Sequence, residues 1–275
     1  MKKGEIMPKV ITYIILILTT VIILYPLSAI FFSSFKTMPD FMANPLGMPK
    51  SFTIDNYIYA WSKMNFSKYT LNSLLITGIS VLCISITGAM AGYKISRDFK
   101  GSKYIYLYFL AGMSIPTQSF IISLFSFLKS INMISSYVGM VLTYSALNLP
   151  FAILIFAGFF KTIPKDLLEA PEIDGCPELK LFTDILIPVS KPVFATVIII
   201  SGMNVWNDFF IQMIINMDQN KYTLPMGLLK FRGETSVNWT PLFASIMLVA
   251  IPIIIVFLLM QKQFIKGLTS GAVKG

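Results

Sequence analysis

The chain has 275 residues, 55% of them apolar and only 13% charged, and a formal net charge of +9. A soluble domain carries about a quarter charged residues, so this composition excludes a water-soluble globule, a disordered chain and a disulfide-stapled secreted module. In a membrane chain clustered Lys and Arg serve topology, so the positive balance does not imply nucleic acid. Histidine is absent, which removes Ser-His-Asp and Cys-His chemistry. Cys83 lies in an apolar run and Cys176 in a charged loop, so both are expected to be free thiols. Neither a catalytic residue nor a metal site is expected.

A spanning helix needs about 20 apolar residues, because about 30 Å of hydrocarbon are crossed at about 1.5 Å per residue. Six segments meet that test: 10–32, 71–93, 104–127, 137–160, 192–215 and 241–264. Apolarity that continuous means helix, since membrane strands alternate with a period of two. The predicted fold is all-α, a polytopic membrane protein of six transmembrane helices forming a single domain over 1–275. The run at 10–32 follows Lys2, Lys3 and Lys9. It is too long for a signal-peptide core and no small-x-small cleavage site follows, so it reads as a retained span. With the N-terminus in the cytoplasm, fourteen of the 22 Lys and Arg residues fall on that side. Both termini are therefore expected in the cytoplasm of a prokaryotic cell, with 33–70 and 216–240 as long outside loops.

The spans contain few interruptions. Pro26, Pro116, Pro150 and Pro252 lie mid-span, and each is expected to kink its helix by removing a backbone hydrogen bond. Gly88 and Gly92, with Ser85, Thr87 and Ala91 around them, have the small-xxx-small spacing that lets another helix approach closely. The fifth span holds the one ionisable residue placed within hydrocarbon, Asp208, in the run Asn204-Val205-Trp206-Asn207-Asp208-Phe209. Burying a charge there is costly. The polar break reads either as interhelical hydrogen bonding or as a wall of a water-filled pathway. In the second case Asn204, Asn207 and Asp208 meet hydroxyl groups and Trp206 supplies a stacking platform. A lone acid also argues against a proton- or sodium-driven carrier.

The loop 161–191 holds six of the chain's 13 acidic residues. Pro164 suits the first turn of a short helix over 165–170, Gly175 a left-handed stop, and Pro177 the opening of a second short helix. Two amphipathic helices about a glycine turn would make a docking knob on the inner surface. Here Glu169-Ala170, Asp174-Gly175 and Ile185-Leu186-Ile187-Pro188 resemble the EAA loop of binding-protein-dependent ABC importer permeases. Leu149-Pro150-Phe151, Gly158-Phe159-Phe160, the Trp206-Asn207-Asp208-Phe209 run and the tail from Gly267 to Gly275 are similar to the carbohydrate-uptake class, and the tail to its smaller maltose-type subunit. The loop departs from the pattern at Pro171 and Cys176, where Ala is usual, so the coupling helix is expected to be shorter or bent.

The resemblance implies a type I importer permease that moves a sugar, with Glu169, Ala170, Asp174 and Gly175 in ATPase coupling. It implies a second, homologous permease subunit, two ATPase subunits carrying ATP and Mg, and an extracytoplasmic solute-binding protein that meets loop 216–240. The C-terminal tail would reach between the ATPases. This chain has no phosphate-binding loop and no Gly-Lys dipeptide, so it is expected to bind no cofactor and to be no enzyme itself. The alternatives are an ABC permease for a non-sugar solute and a stand-alone secondary carrier.

Overall fold

The computed structural model describes the backbone of residues 6–164, 166–173, 175–231, 233 and 237–272; for 6–9, 170, 172, 260 and 262–272 it describes no side chain. Helices follow in the order α1 (Ile6–Ser34), α2 (Met38–Ala43), α3 (Asp55–Lys63), α4 (Phe66–Ser96), α5 (Ser102–Met113), α6 (Thr117–Ser130) and α7 (Tyr137–Phe160). After them come α8 (Asp166–Ile173), α9 (Glu178–Leu181), a π turn at Phe182–Leu186, α10 (Ile187–Val189), α11 (Lys191–Trp206), α12 (Phe210–Ile215), α13 (Leu224–Gly227) and α14 (Trp239–Ala272). Among the described residues there is no strand. Four helices are long and apolar enough to cross a membrane alone, and six spans result if each of two bent helix pairs is counted as one.

Two of the expected spans are broken. The run 104–127 divides into α5 and α6, bent by 97°. Pro116 was expected to kink a continuous helix. Instead it stands in extended geometry before α6, with φ −62° and ψ 131°; α5 has already ended at Met113, ahead of Ile115, whose helical geometry the following proline disfavours. Pro26, Pro150 and Pro252 do lie inside helices. The run 192–215 divides into α11 and α12, separated by Asn207, Asp208 and Phe209. Below it, the Glu178–Val189 segment meets α11 at 80°. Pro188 has no N–H for the Asp184 carbonyl, and the helix widens there into a π turn, with the Ile187 N–H bonded to the Phe182 carbonyl.

The chain forms two compact units: Met1–Ser67 with Gly227–Pro252, and Lys68–Met226 with Ile253–Gly275. In the first, α1 shows its apolar side chains along almost its whole length from Val10 to Leu27. The lobe after it is tied down by polar groups. Lys36 is fully buried and donates to the Asn44 carbonyl at 2.7 Å, while Asn56 Nδ2 donates to the carbonyls of Ser34 and Lys36 at 2.9 and 2.7 Å. Buried ammonium and amide groups of this kind are tolerated only when so satisfied.

In the second unit α4, α7 and α11 enclose a core that includes Ile84, Ala89, Tyr93, Ala152, Phe156, Phe160, Val193 and Val197. The expected small-residue face of α4 is the contact with α7. A Cβ on Gly88 would stand 2.8 Å from Ala152 Cβ; one on Gly92 would stand 2.6 Å from Phe156 Cβ and 2.9 Å from the Ala157 backbone nitrogen. Overpacking against a backbone costs about 1–3 kcal/mol. Gly92→Val should therefore lower the thermal midpoint of the detergent-solubilised protein by several degrees. Gly78→Ala, which meets nothing within 4 Å, should leave it unchanged. Equal midpoints would contradict this packing.

Candidate functional site

The polar break in the fifth span is built around one carboxylate. Asp208 Oδ2 accepts the Tyr144 hydroxyl of α7 at 2.6 Å and the backbone N–H groups of Ile211 and Gln212 at 3.1 and 3.2 Å. The acid thus satisfies the first free N–H groups of α12, as helix starts require. It also ties the break to α7. Its other oxygen, Oδ1, accepts no bond from the described residues. Four residues earlier, Asn204 Nδ2 donates to Asn148 Oδ1 of α7 at 3.1 Å, and Asn148 Nδ2 donates in turn to the Tyr144 carbonyl at 2.9 Å. Beyond the break, Asn216 Nδ2 donates to Gln212 Oε1 at 3.0 Å and to the Lys221 carbonyl at 2.9 Å.

The predicted pathway residues divide in two. Asn204, in the last turn of α11, and Asn207, its C-cap, are exposed, and Asp208 just beyond is half-exposed. Trp206 is only 7% exposed and packs inward. Two positions after Asn204 on α11, Trp206 is turned to the opposite side of the helix and offers no open face for the expected stacking. Its indole N–H has no hydrogen-bond partner among the described residues. Tyr144, Asn148 and Gln212 escaped the sequence reading. Tyrosine and amides within apolar runs resemble ordinary packing residues, and only the fold brings them to Asp208.

On the opposite side of the unit lies the loop 161–191. Helix α8 runs past Pro171 to Ile173, longer than the expected 165–170. Pro171 removes only the one bond that the Leu167 carbonyl would have accepted. The Pro171 carbonyl itself accepts the Cys176 N–H at 2.9 Å, and Gly175 is left-handed with φ +76°. That is the six-to-one bond and glycine stop of a Schellman motif. Leu168, 6% exposed, seats the helix in the core beside Phe160, Ile163, Leu181 and Phe182. Pro177 opens α9 as expected. Exposed ion pairs Lys94–Glu178 at 2.9 Å and Lys161–Asp98 at 3.1 Å flank the knob and add little energy.

Facing outward are Glu169, with no ion-pair partner among the described residues, and the apolar side chains of Leu167, Ile173 (84% exposed) and Leu179 (69% exposed). Of the other predicted coupling residues, Ala170 is described only in its backbone, and Asp174 lies outside the described residues. The tail expected to reach between ATPases is described only as the backbone of α14 up to Ala272.

The structure thus combines helices long and apolar enough to cross a membrane, a polar break at 207–209 and an outward-facing knob on the loop 161–191. Residues 84–270 match the family described as "Binding-protein-dependent transport system inner membrane component". The probable ABC transporter permease protein YurM of Bacillus subtilis is 34% identical over 96% of this chain and 88% of its own length. The diacetylchitobiose uptake permease NgcG of Streptomyces coelicolor is 30% identical over 95% and 87%, and the trehalose/maltose permease MalG of Thermococcus litoralis 31% over 99% and 99%. A bacterial ABC transporter that imports the acidic polysaccharide alginate shares the fold, with a TM-score of 0.84 at 21% identity, over 96% of this chain and 99% of that one. The chain belongs to the binding-protein-dependent ABC importer permeases.

Truncating Leu168 tests how the knob is seated. A buried Leu→Ala change costs about 2–5 kcal/mol. Leu168→Ala should speed hydrogen exchange across Asp166–Ile173 by at least tenfold while α4 and α7 keep their protection. Unchanged exchange in α8 would contradict the anchoring role.

Proposed function

We propose that this chain is one subunit of a paired permease that imports an oligosaccharide across the cytoplasmic membrane. Two partner ATPases would supply ATP hydrolysis with Mg, a homologous permease chain would complete the pathway, and an extracytoplasmic binding protein would deliver the sugar. The observation that carries the reading is the exposed polar break at Asn204, Asn207 and Asp208 in an otherwise apolar span. Hydrocarbon does not accommodate such a break, whereas a water-filled path for hydroxyl-rich solutes does. The relatives whose names specify diacetylchitobiose and trehalose/maltose support a sugar over another solute.

Coupling would run through the knob. Glu169 offers a carboxylate for charge-assisted hydrogen bonds worth about 1.5–3 kcal/mol each, surrounded by the exposed Leu167, Ile173 and Leu179. Gly175 aims the chain leaving α8. Drawing the knobs of two subunits together would rock the bundle between inward- and outward-facing states, each favoured by a different partner.

Two tests separate this reading from a stand-alone carrier. In a background lacking Cys83 and Cys176, membrane-impermeant thiol reagents should label Lys50→Cys and Gln219→Cys from outside intact cells. Lys100→Cys and Thr183→Cys should react only after lysis; labelling of Lys100→Cys from outside would reverse the orientation. Gly175→Val places a side chain at φ +76°, a left-handed conformation costing about 1–2 kcal/mol. That variant and Glu169→Lys should insert at normal levels yet cut sugar uptake more than tenfold and lose ATPase co-purification or sugar-stimulated hydrolysis. Full uptake in both would refute coupling through this loop.

A further inference from the structure

The polar break also carries information about the charge of what passes it. Tyr144 and the N–H groups of Ile211 and Gln212 occupy Oδ2 of Asp208, so the residue is held in one orientation with Oδ1 left over. Beside it stand the exposed amides of Asn204 and Asn207. Among the described residues no Lys or Arg forms an ion pair with the acid; the stretch 192–220 contains neither Lys nor Arg, and α7 contains no charged residue. The nearest cation along the chain, Lys221, is engaged by Asp218 at 3.3 Å and by the Ser135 carbonyl at 2.7 Å. An uncompensated negative charge between low-dielectric walls repels anions and leaves neutral hydroxyls free to donate to it.

We propose that Asp208 Oδ1, with Asn204 and Asn207, forms a ligand subsite in this subunit that accepts neutral, hydroxyl-rich sugars and excludes sugar carboxylates. Tyr144 is its positioning residue. Its phenol fixes which carboxylate oxygen caps α12 and which meets the ligand. Fold does not decide this selectivity, since the same architecture serves a transporter of an acidic polysaccharide. The proposal deepens the sugar-permease reading and rests on it.

The experiment uses the complete complex, purified with its partner subunits into lipid nanodiscs, and saturation-transfer NMR with two probes, maltotriose and trigalacturonate. In the wild type, maltotriose should give a signal and trigalacturonate should bind at least about tenfold more weakly. Asn204→Ala with Asn207→Ala should reduce the maltotriose signal at least fivefold in an assembled complex. Asp208→Asn, which keeps the capping oxygen and removes the charge, should raise trigalacturonate binding to within about threefold of maltotriose. Tyr144→Phe should weaken maltotriose severalfold without admitting trigalacturonate while the thermal midpoint of the assembled complex stays unchanged; a merely structural role would lower that midpoint.

Equal binding of both probes to the wild type, or continued exclusion of trigalacturonate by Asp208→Asn, would overturn the proposal. So would loss of the partner permease from the double alanine variant, which would make the polar break a subunit contact. Labelled-oligosaccharide uptake by cells carrying the intact system separates the two levels. Uptake without the NMR contact sinks the subsite alone, whereas no uptake of any sugar sinks the function on which it rests.

Discussion

Backbone that stops being helical within a membrane must find its hydrogen bonds in the protein, because hydrocarbon offers none. The run 192–215, expected as the fifth span, is shaped by that constraint. Between α11 and α12 the chain is not helical for three residues, and the Asp208 carboxylate takes up the N–H groups so released. A charge in that position is costly alone; the Tyr144 hydroxyl, delivered by α7, shares the burden. The pair therefore does two things at once. It permits the break, and it ties the broken span to a helix whose other end reaches the loop 161–191.

The two ends of the unit are joined by continuous packing. Gly88 and Gly92 let α4 lie directly on α7, and the core they close runs through Phe156, Phe160 and Phe182 to Leu168 under the knob. A displacement of α8 has to move Leu168 against these close-packed rings, since such interiors shift between discrete arrangements more readily than they deform. The exposed ion pairs around the knob contribute little by comparison, being screened and flexible.

Much of the fold was legible in the sequence, and the residues say why. The span 137–160 agrees with α7 end to end, because an apolar run bounded by Ser136 and a loop of charges has one solution. Gly175 and Pro177 were readable because each has a conformational role that few other residues fill. Pro116 was not. A proline in an apolar run either kinks a helix or ends it, and the choice depends on tertiary packing that no local pattern records. Helix α8 passed Pro171 because a single lost bond near a helix end is minor beside the Schellman closure behind it. The orientation of Trp206 and the role of Tyr144 required the actual register between α7 and α11. Polar residues in apolar spans announce that something is polar, but not which neighbour answers.

The central claim is that the outward side of the knob meets an ATPase. Ile173, the most exposed apolar side chain of α8 among the described residues, gives the most direct test. Ile173→Cys, in a chain freed of Cys83 and Cys176, carries a short photo-cross-linker in the native membrane. The account predicts a cross-link to an ATPase subunit whose yield changes when ATP hydrolysis is trapped with vanadate. A cross-link to no ATPase in either nucleotide state would contradict it.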